Sequence, residues 1–399
     1  MQYVPLMKIR TRTPKLLCTM FLAAGVCGAV CSSAAASGGN EITGLTVRDA
    51  GPARYFPGTD GRTHVEYDLV ITNGLQTGAK LKSLVVRSGR RTVLKLNGNA
   101  LADITHPLSL GILTPTATIP PASSVVSLVD IKLPRSARNV PGRLTSSVRY
   151  AFTSGPLSNI VDNHKITLRT PVDGRPPIVI APPLRGSGWF GSNACCDNAG
   201  THRSGLLAID NRPTMVEAFA IDYLRIVDGS VIKGDGSRLT DFYGYGEPIH
   251  SVANGRVVAV QKGMPDAPWP PGPPNLSVKT SSDYIGNGVI VRIRPHQYAL
   301  YAHMVPGSIR VRKGQRLRTG QVIGRLGNSG NSTGPHLHFA VQSKPRPFAR
   351  SLPYVFDRFK LEGSGRFNPD DSGGVEIKGR PRSERRVYPL AGAVATFRR

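Results

Sequence analysis

Apolar and polar residues alternate with a period of two in the first half of the chain. The clearest example is the run His64-Val65-Glu66-Tyr67-Asp68-Leu69-Val70-Ile71. Similar short runs lie at residues 84–87, 92–96, 124–133, 144–152 and 165–168. Successive side chains of a strand point to opposite faces, and turn-rich segments separate these runs. The pattern therefore predicts a β-sandwich-like accessory domain over residues 37–170, in which His64, His106 and His164 are ordinary surface or strand histidines.

A second β-rich region follows a segment rich in proline and glycine. Pro176-Pro177 and Pro182-Pro183 indicate a stiff, extended linker over residues 171–191. Beyond it, apolar runs predict strands at residues 249–253, 256–261, 289–293, 298–303 and 336–341, with Asn254-Gly255 as a hairpin turn. We therefore expect an all-β chain with a second domain over residues 192–350 and a basic, partly flexible extension over residues 351–399.

The N-terminus has the composition of an export signal. Basic residues precede an apolar stretch from Leu16 to Val30, and small residues follow it. This order predicts a signal peptide over residues 1–36, an exported protein and no stable membrane span after cleavage. The alternative is an uncleaved anchor, because the apolar stretch approaches the ~20 residues that cross a bilayer.

The charge of the chain is strongly positive. Its 51 Lys and Arg residues and 25 Asp and Glu residues give a formal net charge of +26. Such a field attracts anionic partners. The basic residues are scattered and form no tract with interleaved aromatic residues, which disfavours nucleic acid and leaves anionic cell-wall polymers as candidate partners.

Two of the five cysteines, Cys195 and Cys196, lie outside the predicted leader. Neighbouring Cα atoms are ~3.8 Å apart, which is closer than the usual disulfide range. The pair therefore leaves three states open: free thiols, a strained bridge between neighbours, or metal ligands.

The candidate chemistry lies in the second β-rich region. In the predicted strand His336-Leu337-His338-Phe339, the two histidines share one face, and paired imidazoles suit a metal site. The whole segment from Val311 to Phe339, with the Gly327-Asn328-Ser329-Gly330-Asn331 loop, closely resembles the signature of lysostaphin-type zinc metallopeptidases, which cleave peptidoglycan. Tyr301-Ala302-His303-Met304 is similar to the catalytic-histidine strand of that family.

This resemblance implies a small antiparallel β-sheet domain of the barrel-like duplicated-hybrid-motif type, with Zn²⁺ as its cofactor. His338 and Asp222 match two of the three family ligands, whereas Ala218 stands where the family usually has the first histidine. His202 is the nearest upstream candidate. A hairpin built from residues 206–209, 211–213 and 216–221 would bring it near Asp222, with Asp210 at the turn rather than at the metal.

The resemblance also implies that His303 and His336 are the catalytic residues, although the sequence does not show which of them is the base. The functional expectation is an endopeptidase acting on peptidoglycan stem peptides or cross-bridges. Two alternatives remain: an inactive relative that binds peptidoglycan or regulates another hydrolase, and a secreted protease of glycine-rich host proteins. The aromatic residues predicted near the groove serve either peptide binding or packing: Tyr243, Tyr245, Trp269 and Tyr284. His250 and His296 are interpreted as surface residues.

Overall fold

The computed structural model describes residues 41–108, 114–135, 140–153, 161, 164–196, 202–271, 277–371 and 373–398. The predicted signal peptide lies outside these residues. Within them, no helix is long and apolar enough to cross a membrane. Strands dominate the described chain, so the all-β prediction is confirmed.

Two antiparallel sheets, here called the N-terminal sheets, form the first part of the fold. The first has the strand order β1-β3-β8-β6, with β2 paired to β3, and the second has the order β10-β9-β4-β5, with β7 paired to β4. Over the described residues, the strands and the short helix of this part are β1 (Leu45–Asp49), β2 (Arg54–Pro57), β3 (Arg62–Asn73), β4 (Ala79–Ser88), β5 (Arg91–Asn97), α1 (Gly98–Ala102), β6 (Thr105–Pro107), β7 (Thr118–Ile119), β8 (Ser124–Pro134), β9 (Arg143–Phe152) and β10 (Lys165–Pro171). Both sheets contribute to one apolar cluster, which includes Val65 and Tyr67 from β3 and Leu84 and Val148 from the facing sheet.

Strand β3 is buried on both of its faces. Its apolar residues face the cluster between the N-terminal sheets, as the alternation predicts. Its polar residues His64, Glu66 and Asp68 are also buried, with exposed fractions of 1%, 3% and 4%. His64 is therefore a strand histidine, as one of the two predicted alternatives has it, but it is buried because the polar face of β3 packs against the rest of the chain. His106 is likewise buried, whereas His164 is exposed.

A large antiparallel sheet, here called the main sheet, forms the second part. Over the described residues its strand order is β20-β17-β18-β19-β22-β15-β12-β27-β24-β25, with β26 paired to β24. Its strands are β12 (Gly186–Ser192), β15 (Ile221–Arg225), β17 (Gly255–Gln261), β18 (Gly288–Arg294), β19 (Gln297–Tyr301), β20 (Arg316–Leu317), β22 (Leu337–Gln342), β24 (Phe359–Phe367), β25 (Val375–Lys378), β26 (Arg382–Glu384) and β27 (Ala393–Phe397).

Three strand pairs and two short helices complete the fold. The parallel pair is β11 (Ile178–Ile180) with β23 (Tyr354–Phe356). The antiparallel pairs are β13 (Leu206–Ile209) with β14 (Arg212–Met215), and β16 (Pro248–His250) with β21 (Val322–Arg325). The helices are a 3-10 turn at Leu239–Asp241 and α2 (Ser281–Tyr284).

Two predicted segments differ from the structure. Residues 171–191 do not form a free linker, because they contain β11 and most of β12, in which Trp189 is fully buried. Residues 351–399 do not form a solvated extension, because β23 to β27 lie there and Phe356 and Phe397 belong to the main core. In both segments, the burial of a few large apolar side chains stabilises folded strands, although the surrounding sequence is rich in Pro, Gly and basic residues.

Candidate metal centre

The candidate site begins at the pairing of two neighbouring strands of the main sheet. β15 and β22 are antiparallel, and Asp222 lies directly opposite His338 in their register. Directly opposed side chains share a face of the sheet. Nδ1 of His338 accordingly lies 3.0 Å from Oδ1 of Asp222.

His202 reaches the same carboxylate from outside the main sheet. Its Nε2 lies 3.2 Å from Oδ2 of Asp222, and its Nδ1 lies 3.3 Å from the carbonyl oxygen of Ala220. Between them, β13 and β14 form a hairpin whose turn holds Asp210 at a positive φ of 50°. Asp210 is exposed there and pairs with Lys344 and Arg346, remote from the carboxylate. The hairpin thus brings His202 and Asp222 together despite the residues inserted between them.

His303 and His336 lie beside these three residues. Their ring centroids are 4.7 Å apart, and Nε2 of His336 is 3.5 Å from Oδ1 of Asp222. Nδ1 of His303 donates to the carbonyl of Ser329 at 2.7 Å, and Nδ1 of His336 donates to the carbonyl of Gly334 at 2.8 Å. In the neutral form, each ring therefore carries its lone pair on Nε2.

The loop before β22 sets this geometry through close backbone contacts. A Cβ atom at Gly327 would lie 2.4 Å from the backbone nitrogen of Val305, so a larger residue would push the two segments apart. Gly330 has a φ of 81°, in the left-handed region that glycine tolerates best. These contacts hold the Ser329 carbonyl, which in turn orients His303.

Burial and charge set the protonation states. Burial acts to raise the pKa of Asp222, but the adjacent His202 and His336 outweigh it and hold that pKa well below its usual range. Burial also lowers the pKa of His303 well below its ordinary value, and it lowers the pKa of His336. The site therefore combines an ionised carboxylate with two imidazoles that are neutral near pH 7.

The donor set suits a divalent metal such as zinc. The ligand atoms of His202, Asp222 and His338 all lie within 4.8 Å of one another. Two imidazole nitrogens and one carboxylate oxygen form a typical catalytic zinc set, which leaves a coordination position open. His202 also has the usual outer contact of a metal-binding histidine, since its second nitrogen lies beside a backbone carbonyl.

A cavity of about 400 Å³ opens over these side chains. Its walls include Tyr284, whose ring is tilted against that of Phe348 with a centroid distance of 4.9 Å. Of the four aromatic residues predicted near the groove, Tyr284 alone is among the lining residues of this cavity. Trp269 packs edge-on against Phe242 instead.

Two polar residues at the site carry no signal in the sequence. Nδ2 of Asn193 donates to Oδ2 of Asp222 at 2.9 Å, because β12 pairs with β15 and brings Ser192 opposite Asp222. Glu217 lines the cavity, and its Oε1 lies 3.9 Å from Nε2 of His338. Close by in the chain, Cys195 and Cys196 form a disulfide between neighbouring residues, one of the three states that the sequence leaves open.

Comparison with known families places this region among peptidases. Residues 238–349 match the model of Peptidase family M23. This segment is a peptidase family M23 domain. The matched segment includes His303, His336 and His338, whereas His202 and Asp222 precede it in the chain.

Curated relatives of the M23 domain include two proteins of Vibrio cholerae serotype O1. The chain is 32% identical over 122 residues to the peptidoglycan DD-endopeptidase ShyB, and the match covers 30% of this chain and 23% of that protein. It is 40% identical over 76 residues to the peptidoglycan DD-endopeptidase ShyA, and the match covers 16% of this chain and 17% of that protein. The matches therefore span less than a quarter of either relative.

Solved structures with a similar arrangement include the catalytic domain of lysostaphin from Staphylococcus simulans. It has 16% identity and a TM-score of 0.23, covering 43% of this chain and 88% of that one. A zinc-containing peptidase from Vibrio cholerae has 15% identity and a TM-score of 0.23, covering 74% of this chain and 83% of that one.

Proposed function

We propose that this protein is an exported zinc metallopeptidase that hydrolyses peptide bonds in the stem peptides or cross-bridges of peptidoglycan. The convergence of His202 and His338 on the Asp222 carboxylate, beside two neutral histidines, is the observation that carries the proposal. The substrate is supported by the M23 domain and by the two relatives named peptidoglycan DD-endopeptidases. The export signal predicted at the N-terminus agrees with a substrate outside the cytoplasm.

In this proposal Nε2 of His202, the carboxylate of Asp222 and Nδ1 of His338 hold the zinc ion. Bound zinc supplies a Lewis acid for the scissile carbonyl and lowers the pKa of a water towards ~7. Asp222 remains ionised for this role, because its neighbours hold its pKa down. Asn193 keeps the carboxylate oriented through its hydrogen bond to Oδ2.

His303 and His336 handle the protons of the reaction. Each donates through Nδ1 to a backbone carbonyl, so each can accept a proton at Nε2. Between them they accept the proton of the attacking water, stabilise the negative charge that develops on the carbonyl oxygen and return a proton to the leaving amine.

Zinc content and fragment release test this proposal together. We expect wild-type protein to hold one zinc ion and to release soluble fragments from purified peptidoglycan, and His202→Ala to lose both properties. His296→Ala is the matched control, since this exposed histidine lies in a turn away from the cavity. A wild-type protein that holds stoichiometric zinc and releases no fragments from any peptidoglycan would favour the alternative of an inactive relative that binds peptidoglycan. A His202→Ala variant that retains all of its zinc would show that His202 is not a zinc ligand.

We also propose that the positive charge of the chain holds it on anionic cell-wall polymers. The formal charge of +26 supports this partner, and exposed charge contacts weaken in salt because ions screen them. Sedimentation with cell walls should therefore fall steeply as sodium chloride is raised. Cell-wall binding that does not respond to salt would contradict the proposed attraction to anionic polymers.

A further inference from the structure

We propose that β3 of the N-terminal sheets positions the metal ligand His202 through a buried ion cluster of Arg203, Glu66 and Asp68. Glu66 and Asp68 are then positioning residues of the candidate metal centre, although they lie on a different sheet from it. This inference rests on the proposed function, in which His202 binds zinc.

The cluster is fully enclosed. The exposed fraction of the Arg203 side chain is 1%, and those of Glu66 and Asp68 are 4% each. Nη1 of Arg203 lies 2.6 Å from Oε1 of Glu66 and forms an ion pair with Asp68, while Nη2 lies 3.5 Å from the carbonyl of Val129. Two carboxylates and a carbonyl of the N-terminal sheets thus hold one guanidinium.

Alternation along β3 explains why both carboxylates reach the same guanidinium. Glu66 and Asp68 are two residues apart, so they point to the same face of the strand. The opposite face, with Val65 and Tyr67, fills the apolar cluster of the N-terminal sheets. The polar face is consequently free to bind a residue from the second part of the chain.

Arg203 directly follows His202, so the position of one restricts the position of the other. Consecutive Cα atoms are ~3.8 Å apart, and the planar guanidinium has little freedom when two carboxylates hold it. In the described backbone of this turn, the amide of Gly205 donates to the carbonyl of His202 at 3.3 Å and the amide of Leu206 donates to the carbonyl of Ser204 at 2.8 Å. We infer that the cluster adds a restraint from the N-terminal sheets to these local hydrogen bonds.

Apolar contacts also join the two parts of the chain. Phe56 of β2 already packs edge-on against Phe219, with a centroid distance of 5.5 Å, and both belong to the main core. A buried ion cluster contributes little net stability compared with apolar packing of the same volume. Its specific consequence is the placement of the turn that carries His202.

The test compares two charge variants, Glu66→Gln and Asp68→Asn, which preserve shape and replace one carboxyl group each by an amide, with Tyr67→Phe. Tyr67 lies between them on β3 and bonds to Ser146 of β9 at 2.7 Å, so its variant removes a buried hydrogen bond without touching Arg203. Amide hydrogen exchange of residues 202–206 is measured in metal-free protein. The zinc dissociation constant is measured by competition with a chelator.

We expect both charge variants to speed exchange in residues 202–206 and to raise the zinc dissociation constant about 10- to 100-fold, the range typical of groups that orient metal ligands. Tyr67→Phe should leave both quantities at the wild-type values even if it lowers the melting temperature. Unchanged exchange in the charge variants, or equal effects in Tyr67→Phe, would overturn the inference. Faster exchange combined with a wild-type protein that binds no zinc would instead contradict the proposed function and leave the positioning role intact.

Discussion

Replacing Asn193 by glycine isolates the effect of a single hydrogen bond on the candidate metal centre. Nδ2 of Asn193 donates to Oδ2 of Asp222 at 2.9 Å, and Oδ2 is the oxygen that faces His202. Asn193 has a φ of 53°, and glycine tolerates this left-handed conformation. The substitution therefore removes the side chain without straining the backbone.

The expected magnitude follows from the charge of the acceptor. A hydrogen bond to an ionised group contributes about 1.5–3 kcal/mol. At about 1.4 kcal/mol per factor of ten, its loss should weaken zinc binding roughly 10- to 100-fold. The outer contacts of metal ligands generally have effects of the same size, about 10- to 100-fold.

The assay is a chelator competition that gives the zinc dissociation constants of wild type and Asn193→Gly. Asn254→Ala is the control, because its side chain accepts a similar 2.8 Å hydrogen bond from Thr319 in an exposed turn. We expect the control to keep the wild-type constant. A folded Asn193→Gly protein whose constant lies within twofold of wild type would refute the reasoning.

Three further predictions concern pH and stability. Burial lowers the pKa values of His303 and His336, so the acid limb of the pH profile of kcat/KM should have a pKa below the ordinary histidine value of about 6.5. An acid limb with a pKa above that value would contradict the assignment of these residues as neutral acceptors. Burial opposes protonation of His64, but the adjacent Asp130 and Asp60 outweigh burial and raise the pKa of His64. The stability that protonated His64 contributes is therefore fully present below the unfolded-state pKa of ~6.5. It is lost as the pH rises through the higher folded-state pKa. The difference in melting temperature between wild type and His64→Gln should accordingly shrink as pH rises, and a growing difference would contradict this sign. Phe356→Ala should lower the free energy of unfolding by about 3–5 kcal/mol in denaturant titrations, whereas a negligible change would contradict the burial of residues 351–399 in the main core.

The sequence predicts the strands of this fold better than their partners. Alternation identifies β3 correctly, but it does not show that the polar face bearing His64, Glu66 and Asp68 is also buried. Glu66 and Asp68 pair there with Arg203, which is 135 residues from Asp68 in the chain. Local patterns carry no information about a pairing at that separation.

The same limit applies around the candidate metal centre. The H-x-H strand and its loop predict His336 and His338 as site residues through the family resemblance of one continuous segment. Asn193 is 29 residues from Asp222 and meets it only because β12 pairs with β15. Proline and glycine near β12 favour the prediction of a linker, whereas Trp189 and Phe190 bury the strand in the fold.

Digestion of purified peptidoglycan with and without zinc tests the central claim most directly. The full chain is freed of metal by a chelator, divided, and restored with one equivalent of zinc in one portion only. Soluble fragments are then identified by mass spectrometry. We expect peptide fragments with new amino termini from the zinc-restored portion alone, and none from a zinc-restored His303→Ala control. A zinc-loaded wild-type protein that releases no peptide fragment, or equal release from the metal-free portion, would contradict the central claim.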